Sequence, residues 1–193
     1  MPYSAGKAGD CMNITVFIGS EMGNDAKYEI AAKELGYRIG QRGDTLVYGG
    51  SDTGLMGILA DAVLSKKGKV IGVELQMFMD EGLTKQNLTQ LIVTENMHER
   101  KKRMMELGDV FIAFPGGTGT LEEITAVMSA VSLDLSEAPC ILYNLDGYYD
   151  KIKDFLQTMQ TEGFSNAQRQ KRIYFAGNLQ EIKEIIANIP ARM

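Results

Sequence analysis

The sequence is short of several residue types, and each shortage excludes something. It has no tryptophan, one histidine, two cysteines and four prolines among its 193 residues. Cys11 and Cys140 alone cannot build a disulfide scaffold or a cysteine-only zinc site. The single histidine, His98, has no HExxH partner or His/Cys cluster, so no metal site is expected. No apolar run approaches the ~18 residues of a membrane span, which excludes an integral membrane protein. The opening stretch, MPYSAGKAGDCMN, lacks the apolar core of a secretory signal. The thiols are accordingly read as reduced, in a cytoplasmic setting. Positive charge is also in deficit: 20 Lys and Arg face 25 Asp and Glu, a net charge of −5. That balance disfavours non-specific nucleic-acid binding.

What remains is an ordinary globular mixture, 45% hydrophobic and 23% charged. Its length suits one domain. Residues 1–11 are small, polar and aperiodic, and read as a loose N-terminal arm; residues 12–193 read as a single domain. Short apolar runs occur at Ile14–Ile18, Thr45–Tyr48, Val70–Val73, Leu91–Thr94, Val110–Phe114, Cys140–Tyr143 and Ile173–Phe175. They are continuous, as for strands buried on both faces. Helical patterns lie between them, at 25–42, 54–66, 97–108, 120–133, 148–161 and 178–188. Residues 76–89 are the least regular and have room for a short helix. Such alternation predicts an α/β protein: a doubly wound, Rossmann-like parallel sheet of about seven strands with helices on both faces.

Ligands of such sheets bind beyond the carboxyl ends of the strands. Three turns there are glycine-rich: Gly19-Ser20-Glu21-Met22-Gly23, Gly49-Gly50-Ser51-Asp52-Thr53-Gly54 and Pro115-Gly116-Gly117-Thr118-Gly119-Thr120. Any one of them reads equally as a tight turn or as an anion cradle. Three on one sheet edge favour a phosphate-bearing ligand. None reads GxGxxG or GxxxxGK[ST], so a dinucleotide or a Walker-type triphosphate is not indicated, and a monophosphate fits better.

The segment Met97–Met105 places Arg100 on the same helical stripe as Met97 and Met104. An inward guanidinium must meet an anion, either an internal partner or a ligand, unless it snorkels to the rim. Lys101 borders that face, whereas Lys102 and Arg103 read as a solvated face. Downstream, Leu121, Ile124, Met128 and Val131 make a predicted buried stripe, with Glu122 exposed. Thr120-Leu121-Glu122-Glu123 matches a T-x-x-E capping box, which puts Glu123 in the first helical turn. A carboxylate there also stands at the mouth of an anion site.

MHERK (Met97–Lys101) followed by PGGTGTLEE (Pro115–Glu123) resembles the LOG family, often labelled "lysine decarboxylase-like". YGGSDTGLMG (Tyr48–Gly57), GYYD (Gly147–Asp150) and EGF (Glu162–Phe164) are similar to its other landmarks, and the likeness runs over nearly the whole chain from Met12. The resemblance implies a phosphoribohydrolase that converts a nucleoside 5′-monophosphate, such as AMP or a cytokinin riboside 5′-monophosphate, to free base and ribose 5-phosphate. It implies catalytic roles for Arg100 and Glu123, and substrate contacts for Lys101, Gly117, Thr118, Gly119, Thr120 and Ser129. The loop residues Gly19, Ser20, Gly49, Gly50 and Gly116 complete the expected binding set. A homodimer or larger homo-oligomer is implied, with no metal or organic cofactor.

The chain departs from the family pattern in places. IGSEMG (Ile18–Gly23) stands for CGSSxG, Ser51 for a third glycine, and Thr118 at a position often tyrosine. An acidic contact upstream of MHxRK aligns with Gly82, beside Glu81, and is not carried over. These changes bear on the preferred base. Amino-acid decarboxylation normally needs an electron sink such as pyridoxal phosphate, and no Schiff-base lysine context is evident. The alternative to the hydrolase is a non-catalytic carrier or sensor of a phosphorylated, nucleotide-like ligand, since related folds carry molybdenum cofactor. A single-strand nucleic-acid binder is disfavoured by the acidic balance and the lack of tryptophan.

Overall fold

The computed structural model describes residues 11–188. The expected N-terminal arm lies outside the described residues except for Cys11, which is exposed. The elements are β1 (Asn13–Phe17), α1 (Ala26–Arg42), β2 (Thr45–Tyr48), α2 (Gly54–Ser65), β3 (Lys69–Leu75), α3 (Gln76–Asp80), β4 (Gln90–Thr94) and α4 (Met97–Leu107). Then come β5 (Val110–Ala113), α5 (Thr118–Ser132), β6 (Cys140–Tyr143), a 3-10 turn (Leu145–Gly147), α6 (Asp150–Thr161), α7 (Ala167–Gln170), β7 (Ile173–Ala176) and α8 (Leu179–Ala187). The seven strands form one sheet in the order β4-β3-β2-β1-β5-β6-β7. Every pairing is parallel. The doubly wound α/β architecture expected from the sequence is therefore the one observed.

Successive strand residues point to opposite faces. Ile14 and Val16, Leu46 and Tyr48, Val110 and Ile112, and Ile141 and Tyr143 pack against α1, α2 and α8. Phe17, Val47, Phe111, Ala113, Cys140 and Leu142 pack against α4, α5 and α6. The two outer strands are the exceptions. β4 and β7 keep half-buried positions because each has a neighbour on one side only.

Two local expectations fail. α5 starts at Thr118, two residues before the predicted 120, so Glu123 lies in the second turn and not the first. Gly117 is the N-cap residue, no described side chain caps the helix, and the T-x-x-E capping box does not form. Leu121 is 37% exposed rather than buried. The buried stripe of α5 runs instead through Thr120, Glu123, Ile124, Val127, Met128 and Val131. Its first members are polar because that end of the helix rises past the strands and faces a cavity. Residues 76–89 hold α3 as their short helix, while α7, capped by the Asn166 side chain, was not signalled by any apolar run.

Candidate functional site

The sheet order changes direction between β1 and β5. The turns after these two strands open a crevice there, as in doubly wound folds generally. Together with the turn after β2 they wall a cavity of about 630 Å³. Of the sequence-predicted residues, Gly19, Ser20, Gly49, Arg100, Gly116, Gly117, Thr118, Gly119, Thr120 and Glu123 line it. Gly50, Lys101 and Ser129 are not in its wall. Gly50 packs on Glu74, Lys101 pairs with Glu122, and Ser129 is exposed on α5. His98 is exposed and also outside the wall.

Arg100 is placed by its helix start. The Asn96 side chain caps α4 by accepting from Glu99 N at 2.9 Å, and Glu99 reaches back to Glu95 N at 3.2 Å. This pins the first turn and aims the next residue inward. Arg100 is 8% exposed. Its Nε donates to Val73 O at 2.9 Å, one terminal nitrogen to Glu123 Oε1 at 2.8 Å, and the other to Gly49 O at 3.3 Å. Of the two anions the sequence allowed, an internal partner is thus present. Three of the five guanidinium donors are engaged this way. A Cβ at position 49 would stand 2.2 Å from the guanidinium nitrogen, so a side chain there would have to displace the Arg100 tip.

Glu123 is 7% exposed. Burial pushes its carboxyl above the ordinary range, and the Arg100 charge and hydrogen bond oppose this without cancelling it. Desolvation is thus the larger influence on its ionisation and the arginine the smaller, opposing one. A carboxylate raised in this way is a stronger base than an exposed one. At the neighbouring end of α5, residues 117–119 are exposed and line the cavity. The first N–H groups of an uncapped helix have no intrahelical acceptor, and the helix dipole adds positive character. An uncapped helix N-terminus open to a cavity is suited to receive an anion.

Several wall residues were not signalled by the sequence. Glu74, at the end of β3, is 1% exposed and lines the cavity. Tyr148, from the GYYD stretch, also lines the cavity and donates to Gly116 O at 2.6 Å, while Tyr149 donates to Phe114 O at 2.8 Å. The two tyrosines brace the turn after β5. Residues 83–85 strap across the β2 turn through Asp52 N to Leu83 O at 2.8 Å and Lys85 N to Gly50 O at 3.0 Å. Ser51 joins the strap by donating to Leu83 O at 3.2 Å, so the residue that departs from the glycine pattern holds the strap in place. Met56, Phe78, Leu83 and Met97 give this side of the cavity an apolar wall.

Known proteins similar to this chain identify its family. The family described as "Possible lysine decarboxylase" matches residues 56–186. The cytokinin riboside 5′-monophosphate phosphoribohydrolase LOG of Oryza sativa subsp. japonica is 38% identical over 169 residues, covering 88% of this chain and 70% of that protein. Its namesake in Rhodococcoides fascians is 40% identical over 162 residues, covering 83% and 82%. A second rice relative, the probable phosphoribohydrolase LOGL5, is 40% identical, and this chain spans 61% of its length. The chain belongs to the LOG family. Among solved structures, the molybdenum cofactor binding protein of Rippkaea orientalis superposes with a TM-score of 0.69 at 22% identity, over 93% of this chain and 98% of that one, a likeness of fold.

Decarboxylase chemistry of the Schiff-base kind does not fit this LOG chain's buried lysine. Lys85 donates to Asp52 at 2.6 Å and pairs with Asp61 at 2.8 Å. Burial pulls its ammonium down, but the two carboxylates outweigh burial and hold it above its ordinary value. A Schiff-base lysine must instead lose its proton. Among the described residues no helix is long and apolar enough to cross a membrane.

Proposed function

We propose that this chain hydrolyses the N-glycosidic bond of a nucleoside 5′-monophosphate, AMP or a cytokinin riboside 5′-monophosphate, to free base and ribose 5-phosphate. The Arg100–Glu123 ion pair of 2.8 Å, inside a cavity walled by three glycine turns, is the observation that carries this reading. The curated LOG relatives are named for the same chemistry.

In this reading the 5′-phosphate sits on the backbone amides of Gly19–Ser20 and Gly116–Thr120, at the N-terminus of α5. The ribose then lies over Glu123. Breaking the C1′–N bond develops oxocarbenium-like charge on the sugar, which a carboxylate stabilises. Glu123 also takes a proton from the attacking water. Arg100 holds Glu123 in place and keeps free N–H donors toward the sugar. The apolar wall of Met56, Phe78, Leu83 and Met97 receives the base. The assay is chromatography after incubation with AMP and with its N6-isopentenyl derivative. Free base and ribose 5-phosphate are expected, with the corresponding nucleosides untouched. Recovery of intact nucleotide bound to the protein supports a carrier instead.

The same reading makes the protein a cytoplasmic homodimer or larger homo-oligomer acting in cytokinin biosynthesis. Leu121, Leu133 and Leu135, exposed on α5 and the turn after it, support self-association. Sedimentation equilibrium is expected to give at least twice the 21.3 kDa chain mass, and a monomer at assay concentration contradicts it.

A further inference from the structure

The hydrolase reading leaves one chemical need unmet: the departing base must gain a proton. Glu74 has features that the ion pair does not explain. It is 1% exposed, it lines the cavity, and its Oε2 has no hydrogen-bond partner among the described residues. Its Oε1 receives only a long bond from Leu75 N, at 3.3 Å. The nearest cation, Arg100, gives its N–H groups to Glu123 and to two carbonyls rather than to Glu74. One guanidinium therefore serves two buried carboxyls, and only one of them is bonded to it. A negative charge at Oε2 is poorly solvated there, and no described protein donor offsets the loss. These surroundings favour the protonated carboxyl, in line with burial pushing it upward against the pull of Arg100.

Position supports the same role. β3 is two places from β1 in the sheet, so the end of β3 stands about 10 Å from the phosphate-binding turn after β1. That is the scale on which the base of a mononucleotide lies from its phosphate. Glu74 also sits against the backbone of the β2 turn: a Cβ on Gly50 would stand 2.9 Å from Glu74 Cβ and 3.2 Å from its Oε2. The carboxyl thus borders the apolar wall assigned to the base.

On the basis of the hydrolase reading, we infer that Glu74 is the general acid that protonates the leaving base. The C1′–N bond breaks, and its electron pair goes to the base. The proton of Glu74 passes to a ring nitrogen of that base. Water adds to C1′ and gives its proton to Glu123. Exchange with solvent then returns the proton to Glu74 and removes it from Glu123, so the net reaction consumes one water.

The test compares two leaving groups on ribose 5-phosphate. One is an adenine base, in AMP or its isopentenyl derivative. The other is 4-nitrophenol, which departs as a stable anion without protonation. Glu74→Gln keeps the size and a polar tip but has no acidic proton. It is expected to lower kcat on the nucleotide about 100-fold with KM nearly unchanged, the scale of a lost general acid. On the 4-nitrophenyl substrate it is expected to stay within about threefold of wild type. Glu74→Asp, which keeps the acid on a shorter arm, is the second variant and is expected to show the same selectivity with a smaller loss. Equal losses on both substrates, no loss on either, or a loss confined to KM overturns the assignment; the last makes Glu74 a base-recognition group. If wild type releases neither base nor 4-nitrophenol, the hydrolase reading itself fails and takes this one with it.

Discussion

Glu123→Gln and Arg100→Ala are each expected to lower base release at least ~100-fold, yet to differ sharply in stability. The glutamine is isosteric, and its carbonyl oxygen still accepts the Arg100 bond of 2.8 Å. In the proposed mechanism it loses the charge assigned to the sugar and the capacity to take a proton from water. Its melting temperature should stay within a few degrees of wild type. Arg100→Ala strips the donors from Glu123 Oε1, Val73 O and Gly49 O and leaves two buried carboxyls beside a void. Removing one member of a buried pair costs roughly 3–5 kcal/mol. That corresponds to a fall in melting temperature of about 6–20 °C for a chain of this size.

The pH dependence separates the two variants further. Burial raises the Glu123 carboxyl above its exposed value. Its contribution to stability is therefore full below the ordinary carboxylate range and is lost as pH rises through the raised value. Glutamine never ionises, so Glu123→Gln should compare more favourably with wild type at about pH 8 than at about pH 4. Thermal melts across that range, with turnover on AMP, check both statements. Near-normal turnover in either variant removes the catalytic assignment.

Gly54→Ala carries the second large effect. Gly54 opens α2 at φ +49°, a conformation that side chains rarely adopt. A Cβ there would also stand 1.9 Å from the Ser20 carbonyl oxygen. No rotamer relieves that contact, because both partners are backbone. The turns after β1 and β2 must separate, and these are two of the three walls of the cavity. Strain and overpacking together should cost roughly 3–5 kcal/mol. Loss of turnover should accompany the loss of stability, since the Gly19–Ser20 amides move with the Ser20 carbonyl. Chemical denaturation measures the first, and the base-release assay the second. A variant as stable as wild type shows that the two turns yield more easily than their contact implies.

The strands, most helices and the three glycine turns were legible because they rest on short-range chemistry. Apolar runs, helical spacing and turn residues act within a window of a few residues. The motif pair Met97–Lys101 and Pro115–Glu123 also marked Arg100 and Glu123, and the two side chains do meet. The same local reasoning misjudged α5. Its T-x-x-E pattern is a sound capping signal, but the guanidinium of a distant helix competes for Glu123, and the helix begins earlier and uncapped. Gly50, Lys101 and Ser129 show the converse: motif positions that tertiary packing turns away from the cavity wall.

By itself, then, the sequence determined the layered α/β fold, the edge of the sheet where a phosphate can bind, and the identity of one arginine and one glutamate. Tertiary structure alone decided that Glu74 joins them, that Tyr148 and Tyr149 brace the β5 turn, and that residues 83–85 strap the β2 turn. Strand order and crossover geometry bring β3, α4 and α5 to one crevice, and no local pattern in the chain encodes which distant side chains share a desolvated charge.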